Sequence, residues 1–167
     1  MSEIPYFLQS FEGITGNKIG LALGSLTLAQ AVGSFSYKRV KRFFDYIGIF
    51  SLGFVPMAIG FTFIGFSSAY FQVIMGVMFC GIGVGLMMPN ANLWVINLVP
   101  VQSRGKYVGG ITTASFLGMF LSPIIIQPIQ NAVGINTSFI ILGICMAFFA
   151  ITYVIIQKYT VKRTAIA

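Results

Sequence analysis

Four amides and two cations carry most of the chemistry open to this sequence. Gln30, Asn90, Asn92 and Gln127 stand within long apolar runs, while Arg104 and Lys106 stand one residue apart in "PNANLWVINLVPVQSRGKYVGG" (residues 89–110). An amide in hydrocarbon is costly unless it faces protein or water, so each of the four marks either a helix contact or a wet cavity. Covalent catalysis asks for more: a nucleophile with a base, a carboxylate pair or a metal site. The apolar runs contain no His, Asp or Glu, and the chain has no His at all. Cys80 and Cys145 both lie in apolar runs, where a thiol behaves as a small apolar group. The residues therefore point away from an enzyme, and neither a cofactor nor a metal site is expected.

The elements that must hold these amides are membrane-spanning helices. Of 167 residues, 57% are hydrophobic and 8% charged, with a mean hydropathy of +0.91. A soluble domain carries about 25% charged residues to solvate its surface. No Asp, Glu, Lys or Arg occurs over residues 19–37, 46–103 or 107–157. A bilayer core about 30 Å thick takes roughly 20 residues of helix, so the first gap holds one span and the others two each. Turn chemistry divides the long gaps at "FSSAYFQ" (66–72) and "QPIQNAVGINTS" (127–138). The expectation is an all-α polytopic membrane protein, one transmembrane domain over residues 1–167, with five spans at about 19–37, 46–66, 71–98, 107–127 and 137–157. Met1 leads into an acidic, proline-containing stretch with no basic n-region, unlike a cleaved signal peptide.

Charge orients the spans. The net charge is +7, and nine of the ten basic residues fall in three clusters: Lys38, Arg39, Lys41 and Arg42; Arg104 and Lys106; Lys158, Lys162 and Arg163. With five spans all three clusters land on one side of the bilayer and only Lys18 on the other. Lys and Arg concentrate in cytoplasmic loops, which puts the N-terminus outside and the C-terminus in the cytoplasm of a multi-pass protein of the cell (plasma) membrane. Topology thus accounts for the basic balance, and the expected partner is the lipid bilayer, with no nucleic acid.

Small residues and prolines mark helix contacts. In lipid, helices associate largely through close backbone approach at small side chains. Gly110, Ala114, Gly118 and Ser122 follow four-residue spacing in the fourth span, Gly81 and Gly85 in the third, and Gly20 and Gly24 in the first. Pro56, Pro89 and Pro123 lie inside spans, where each removes a backbone hydrogen bond. The amides are confined to the first, third and fourth spans, with Gln72 and Gln127 near the outer interface, Asn97 near the inner one, and Gln30 and Asn90 deepest. Those three spans are expected to wall a cavity, and the second and fifth to face lipid as supports.

The series Gly76, Gly81, Gly83, Gly85, Pro89, Pro100, Arg104-Gly105 and Gly109 resembles the helix-loop-helix of major facilitator superfamily transporters. There a glycine-rich helix ends near a proline and is followed by P-x-x-x-R-G-x-x-x-G, here "PVQSRGKYVG". "IPYFLQS" resembles the outer end of that family's seventh helix, and the five spans resemble its helices eight to twelve, a partial C-terminal six-helix bundle. "GSFSYKRVKRF" stands where the family has G-x-x-x-D-R-x-G-R-R: Gly33, Lys38, Lys41 and Arg42 fit, but Tyr37 replaces the acid and Val40 the glycine. The resemblance implies a central cavity lined by helices seven, eight, ten and eleven, and two six-helix halves rocking about a small-molecule substrate near the midplane. It further implies a missing N-terminal transporter half, or another membrane subunit, as partner. With no ionisable residue inside the spans, a coupling proton would have to bind elsewhere. An aromatic, Met-rich half-cavity suggests small-molecule or drug efflux by proton antiport; uptake of a neutral metabolite, or a small channel or accessory subunit, are the alternatives.

Overall fold

The computed structural model describes residues 16–164, with side chains as far as Lys158. The stretch resembling the end of a seventh helix, residues 4–10, lies outside the described residues. Five helices follow one another: α1 (Gly16–Val40), α2 (Tyr46–Gly65), α3 (Tyr70–Leu98), α4 (Arg104–Val133) and α5 (Ile135–Thr164), with a 3-10 turn at Val101–Ser103 ahead of α4. Each is long and apolar enough to cross a bilayer. Helix is what such sequences must form there, because hydrocarbon offers no partner for a free backbone amide or carbonyl. The chain is therefore a multi-pass membrane bundle.

Local chemistry sets the ends. Between α2 and α3 the Gln72 Oε1 accepts hydrogen bonds from the backbone N–H of Ser68 at 2.8 Å and of Ala69 at 3.3 Å. Gln72 is thus a helix cap, which explains an amide at the rim of a span. Pro100 stops α3, since it cannot continue the hydrogen-bond ladder. The boundary between α4 and α5 lies inside the turn stretch 127–138. It falls at Gly134, the one described residue with positive φ, at 83°. Lacking a Cβ, glycine takes that conformation freely. The break sits there and not at Pro128, so α4 continues to Val133.

Packing centres on α3, which presents glycines to two neighbours. Toward α1, a Cβ on Gly81 would stand 2.7 Å from the Leu26 carbonyl oxygen, and one on Gly33 would stand 2.6 Å from that of Ile82. Toward α2, a Cβ on Gly83 would meet the Gly53 oxygen at 2.5 Å, and one on Gly76 the Gly60 oxygen at 2.7 Å. Backbone lies against backbone along both seams. Helix α2 is closed on its far side by α5, where a Cβ on Gly143 would meet Thr62 Oγ1 at 2.5 Å, and the Ser51 hydroxyl donates to the Ala150 carbonyl at 3.1 Å. Ala22, Leu26, Phe61, Ile64, Val73, Val77, Cys80 and Phe139 form the main core.

Helix α2 is clamped between α3 and α5, with eight of its residues buried, and it turns Val55, Ile59 and Phe63 outward. One packing expectation is corrected. The stripe Gly110, Ala114, Gly118 and Ser122 is not a contact face within this chain. None of α4's residues is buried, and a Cβ on Gly110 or Gly118 would meet nothing within 4 Å. Of the four, Ser122 alone approaches a neighbour, lining a cavity of 170 Å³ with Phe61, Phe139 and Leu142. Small-residue spacing makes close approach possible; it does not supply the partner. Gly20 and Gly24 are likewise open.

Candidate functional site

The alternation of five helices brings the end of α1, the start of α2, the end of α3, the start of α4 and the end of α5 to one face of the bundle. All three basic clusters lie there. Counting 1.5 Å per residue inward from that face, Asn92 lies at about 9 Å and Asn90 at about 12 Å. Gln30 packs beside Gly81 and Gly85, about 10 Å deeper along α3 than Asn92, so only Asn90 and Asn92 lie near one depth. Gln127 lies about 34 Å from the same face, near the opposite end, and is exposed.

The surroundings of the three amides differ. Gln30 is half-buried on the α1 flank of the α1–α3 seam, its backbone carbonyl against Gly85. Asn92 is also half-buried, and its Oδ1 is enclosed without a hydrogen-bond partner among the described residues. Arg104, at the start of α4, has its Nε in the same condition. A buried acceptor and a buried donor left unmatched are costly, so both are sites where a further polar group would be stabilised.

Asn90 corrects the sequence reading. Its side chain is fully buried and engaged at both ends: the Tyr37 hydroxyl donates to Oδ1 at 3.3 Å, and Nδ2 donates to the Tyr46 carbonyl at 2.9 Å. It faces α1 and α2, not a cavity. Around it Tyr46 stacks on Trp94 with ring centroids 6.0 Å apart, the Asn97 amide donates to the Tyr46 hydroxyl, and Lys41 Nζ stands 3.1 Å from the Tyr46 ring centroid. The result is a polar and aromatic knot tying α1, α2 and α3 near the basic face. Tyr37, the residue standing in place of an acid, is a neutral donor in that knot. Sequence reasoning missed its part, although Ala22, Leu26, Ala29, Gly33 and Tyr37 recur at helical spacing and all are buried.

The loop residues are placed as follows. Pro100 precedes the 3-10 turn, Arg104 opens α4, and Gly105 and Gly109 are open to their surroundings. Lys38 and Arg42 are exposed and line a recess at the end of α1 together with Phe35, Ser36 and Arg39. Gly81 and Gly85 lie in the α1–α3 seam. No group of three or more potential metal ligands occurs among the described residues.

Such a bundle, with glycine-joined helices and its cations gathered at one face, defines a multi-pass membrane protein. The family model described as Major Facilitator Superfamily matches residues 1–165, and the chain belongs to that family. Among curated proteins it is similar to the "Probable plastidic glucose transporter 2" of Arabidopsis thaliana, 30% identical over 115 residues, which is 69% of this chain and 22% of that protein. The chain thus spans about a fifth of the length of that relative. No solved structure matches.

Proposed function

We propose that the chain forms part of a transporter that moves a small uncharged solute by alternating access. The observation that carries this is the unmatched amide of α3: the Asn92 Oδ1 is enclosed without a hydrogen-bond partner among the described residues. An enclosed amide oxygen is an acceptor, which suits a hydroxyl or amide donor. The name of the Arabidopsis relative, a glucose transporter, supports a neutral polar solute over a charged one. Gln127, near the far end of α4, would meet the solute on entry or exit, and Asn90 would hold α1, α2 and α3 in place around Asn92.

Alternating access takes two halves rocking about the site. The reading therefore includes an N-terminal half as partner, seated on the open face of α4. The basic face would lie in the cytoplasm, with the N-terminus outside and the plasma membrane as the site of action, because Lys and Arg are retained on the cytoplasmic side.

A second reading is efflux of amphipathic compounds by proton antiport. It is favoured by the exposed Phe116, Met119 and Phe120 of α4, an adaptable apolar surface. One experiment separates the two. The chain is coexpressed with an N-terminal six-helix half, and uptake of labelled hexose is compared with proton-driven export of a cationic dye. Hexose uptake that falls at least about tenfold in Asn92→Leu is expected; dye export alone would install the second reading. Flux by the 167-residue chain alone in liposomes would instead favour a small channel or accessory subunit.

A further inference from the structure

The basic end of α1 is concave, and its composition is more specific than topology requires. Phe35, Ser36, Lys38, Arg39 and Arg42 line a recess of 440 Å³. Residues 35, 38 and 39 fall three or four apart on one face of α1, and Arg42 follows in the turn beyond its end, its N–H donating to the Arg39 carbonyl at 3.3 Å. Phe35, 87% exposed, lies one turn nearer the membrane centre than Lys38 and Arg39. An apolar ring therefore stands below, three cations stand above, and the Ser36 hydroxyl stands at the side. Lys41 does not belong to this face, because its ammonium is held over the Tyr46 ring. Asp45 is the one acidic residue among the described residues, which therefore supply at most one acidic side chain near the three cations.

We infer that this recess binds the phosphate headgroup of an anionic phospholipid in the leaflet at the basic face. Guanidinium groups grip phosphate oxygens through paired N–H donors, and Arg39 and Arg42 present two of them one turn apart. The recess is roomier than a phosphate ion needs and leaves space for the glycerol beyond it. Phe35 lies where the first methylenes of an acyl chain would run. Basic pockets at the ends of transmembrane helices hold anionic headgroups in this way. The inference is independent of which solute the chain helps to move.

The test uses the 167-residue chain in nonionic detergent, mixed with equal amounts of phosphatidylglycerol and phosphatidylcholine, with retained lipid counted by native mass spectrometry. Phosphatidylglycerol is expected to be retained in preference. Replacing the three cations together (Lys38→Gln, Arg39→Gln, Arg42→Gln) should lower that preference at least about tenfold, since each cation near a membrane surface contributes to anionic-lipid affinity. A control with the same charge change at the same face (Lys106→Gln, Lys158→Gln, Lys162→Gln) should leave it within about twofold if the recess, and not net charge, sets the affinity. Arg42→Gln alone, beyond the end of α1, should lower it about threefold, and it keeps the test open if the triple variant loses helical content. Inorganic phosphate at about 20 mM should not displace the lipid, because Phe35 adds a contact that a free ion lacks. Equal retention of the two lipids, an equal fall in both triple variants, or full displacement by inorganic phosphate would each overturn the inference.

Discussion

Replacing Gly60 by Ala adds one methyl group to a seam that has no room for it. The new carbon would stand 2.5 Å from the Gly76 carbonyl oxygen, 2.6 Å from Cys80 Sγ and 2.9 Å from the Cys80 backbone nitrogen. Ordinary contact begins at 3.4 Å, so α2 and α3 must part by about 0.9 Å. Two of the three obstacles are backbone, which cannot rotate away. A gap of that size forfeits about a quarter to a half of the dispersion attraction across a contact, and overpacking of this kind costs about 1–3 kcal/mol. Gly118→Ala makes the same chemical change where nothing lies within 4 Å. Both variants share the helix-propensity gain of Gly→Ala, about 0.5–1 kcal/mol, so the difference between them isolates the clash. For a chain of this size it corresponds to about 2–12 °C in melting temperature. Thermal unfolding in detergent, followed by circular dichroism, measures it. Melting temperatures for the two variants within about 1 °C of each other would refute the close α2–α3 approach.

Three further outcomes are expected. Gly143→Leu should disrupt the bundle more than Gly118→Leu, because Gly143 meets Thr62 and the Ala58 carbonyl while Gly118 meets nothing, and the order of their melting temperatures reports it. Asn90→Leu should cost about 1–3 kcal/mol by stranding the buried Tyr37 hydroxyl, and Tyr37→Phe less, as measured by denaturant titration in mixed micelles; equal stability of Asn90→Leu and the parent would remove the knot. In a background with Cys80 and Cys145 replaced by Ala, a cysteine at Gln127 should react with a membrane-impermeant maleimide and one at Asn90 should not until the chain is unfolded, since Gln127 is exposed and Asn90 fully buried.

How far the sequence discloses this fold depends on the kind of signal. Charge gaps disclose the five spans because a Lys or Asp in hydrocarbon is costly wherever its helix packs. Exact ends are less legible. Proline at 128 invites a break, but the chain turns at Gly134, where the backbone enters a region open to glycine. Pairing is less legible still. Gly81 and Gly85 on α3 follow the same four-residue spacing as Gly110, Ala114 and Gly118 on α4, yet only the glycines of α3 meet a neighbouring helix. Nor does α3 advertise two seams, because Gly76 and Gly83 interleave with Gly81 and Gly85 along one sequence. For the amides, depth can be counted but company cannot. Asn90 and Asn92 are two residues apart, and the helical turn sends one into the knot and leaves the other's oxygen unmatched.

The glycine seams also determine how motion passes through the bundle. Side chains that interdigitate can exchange rotamers and let helices slide by fractions of a turn, whereas a carbonyl set against a glycine Cα has no rotamer to change. The helices α1, α2 and α3 are therefore coupled as a lever. At 1.5 Å per residue α3 has a nominal length of about 44 Å. A tilt of about 10° pivoting at Tyr70 would carry its Leu98 end through about 7–8 Å. The Asn90 knot and the cationic recess on α1 would travel with it, so a small rotation at one face becomes a displacement as wide as a sugar ring at the other.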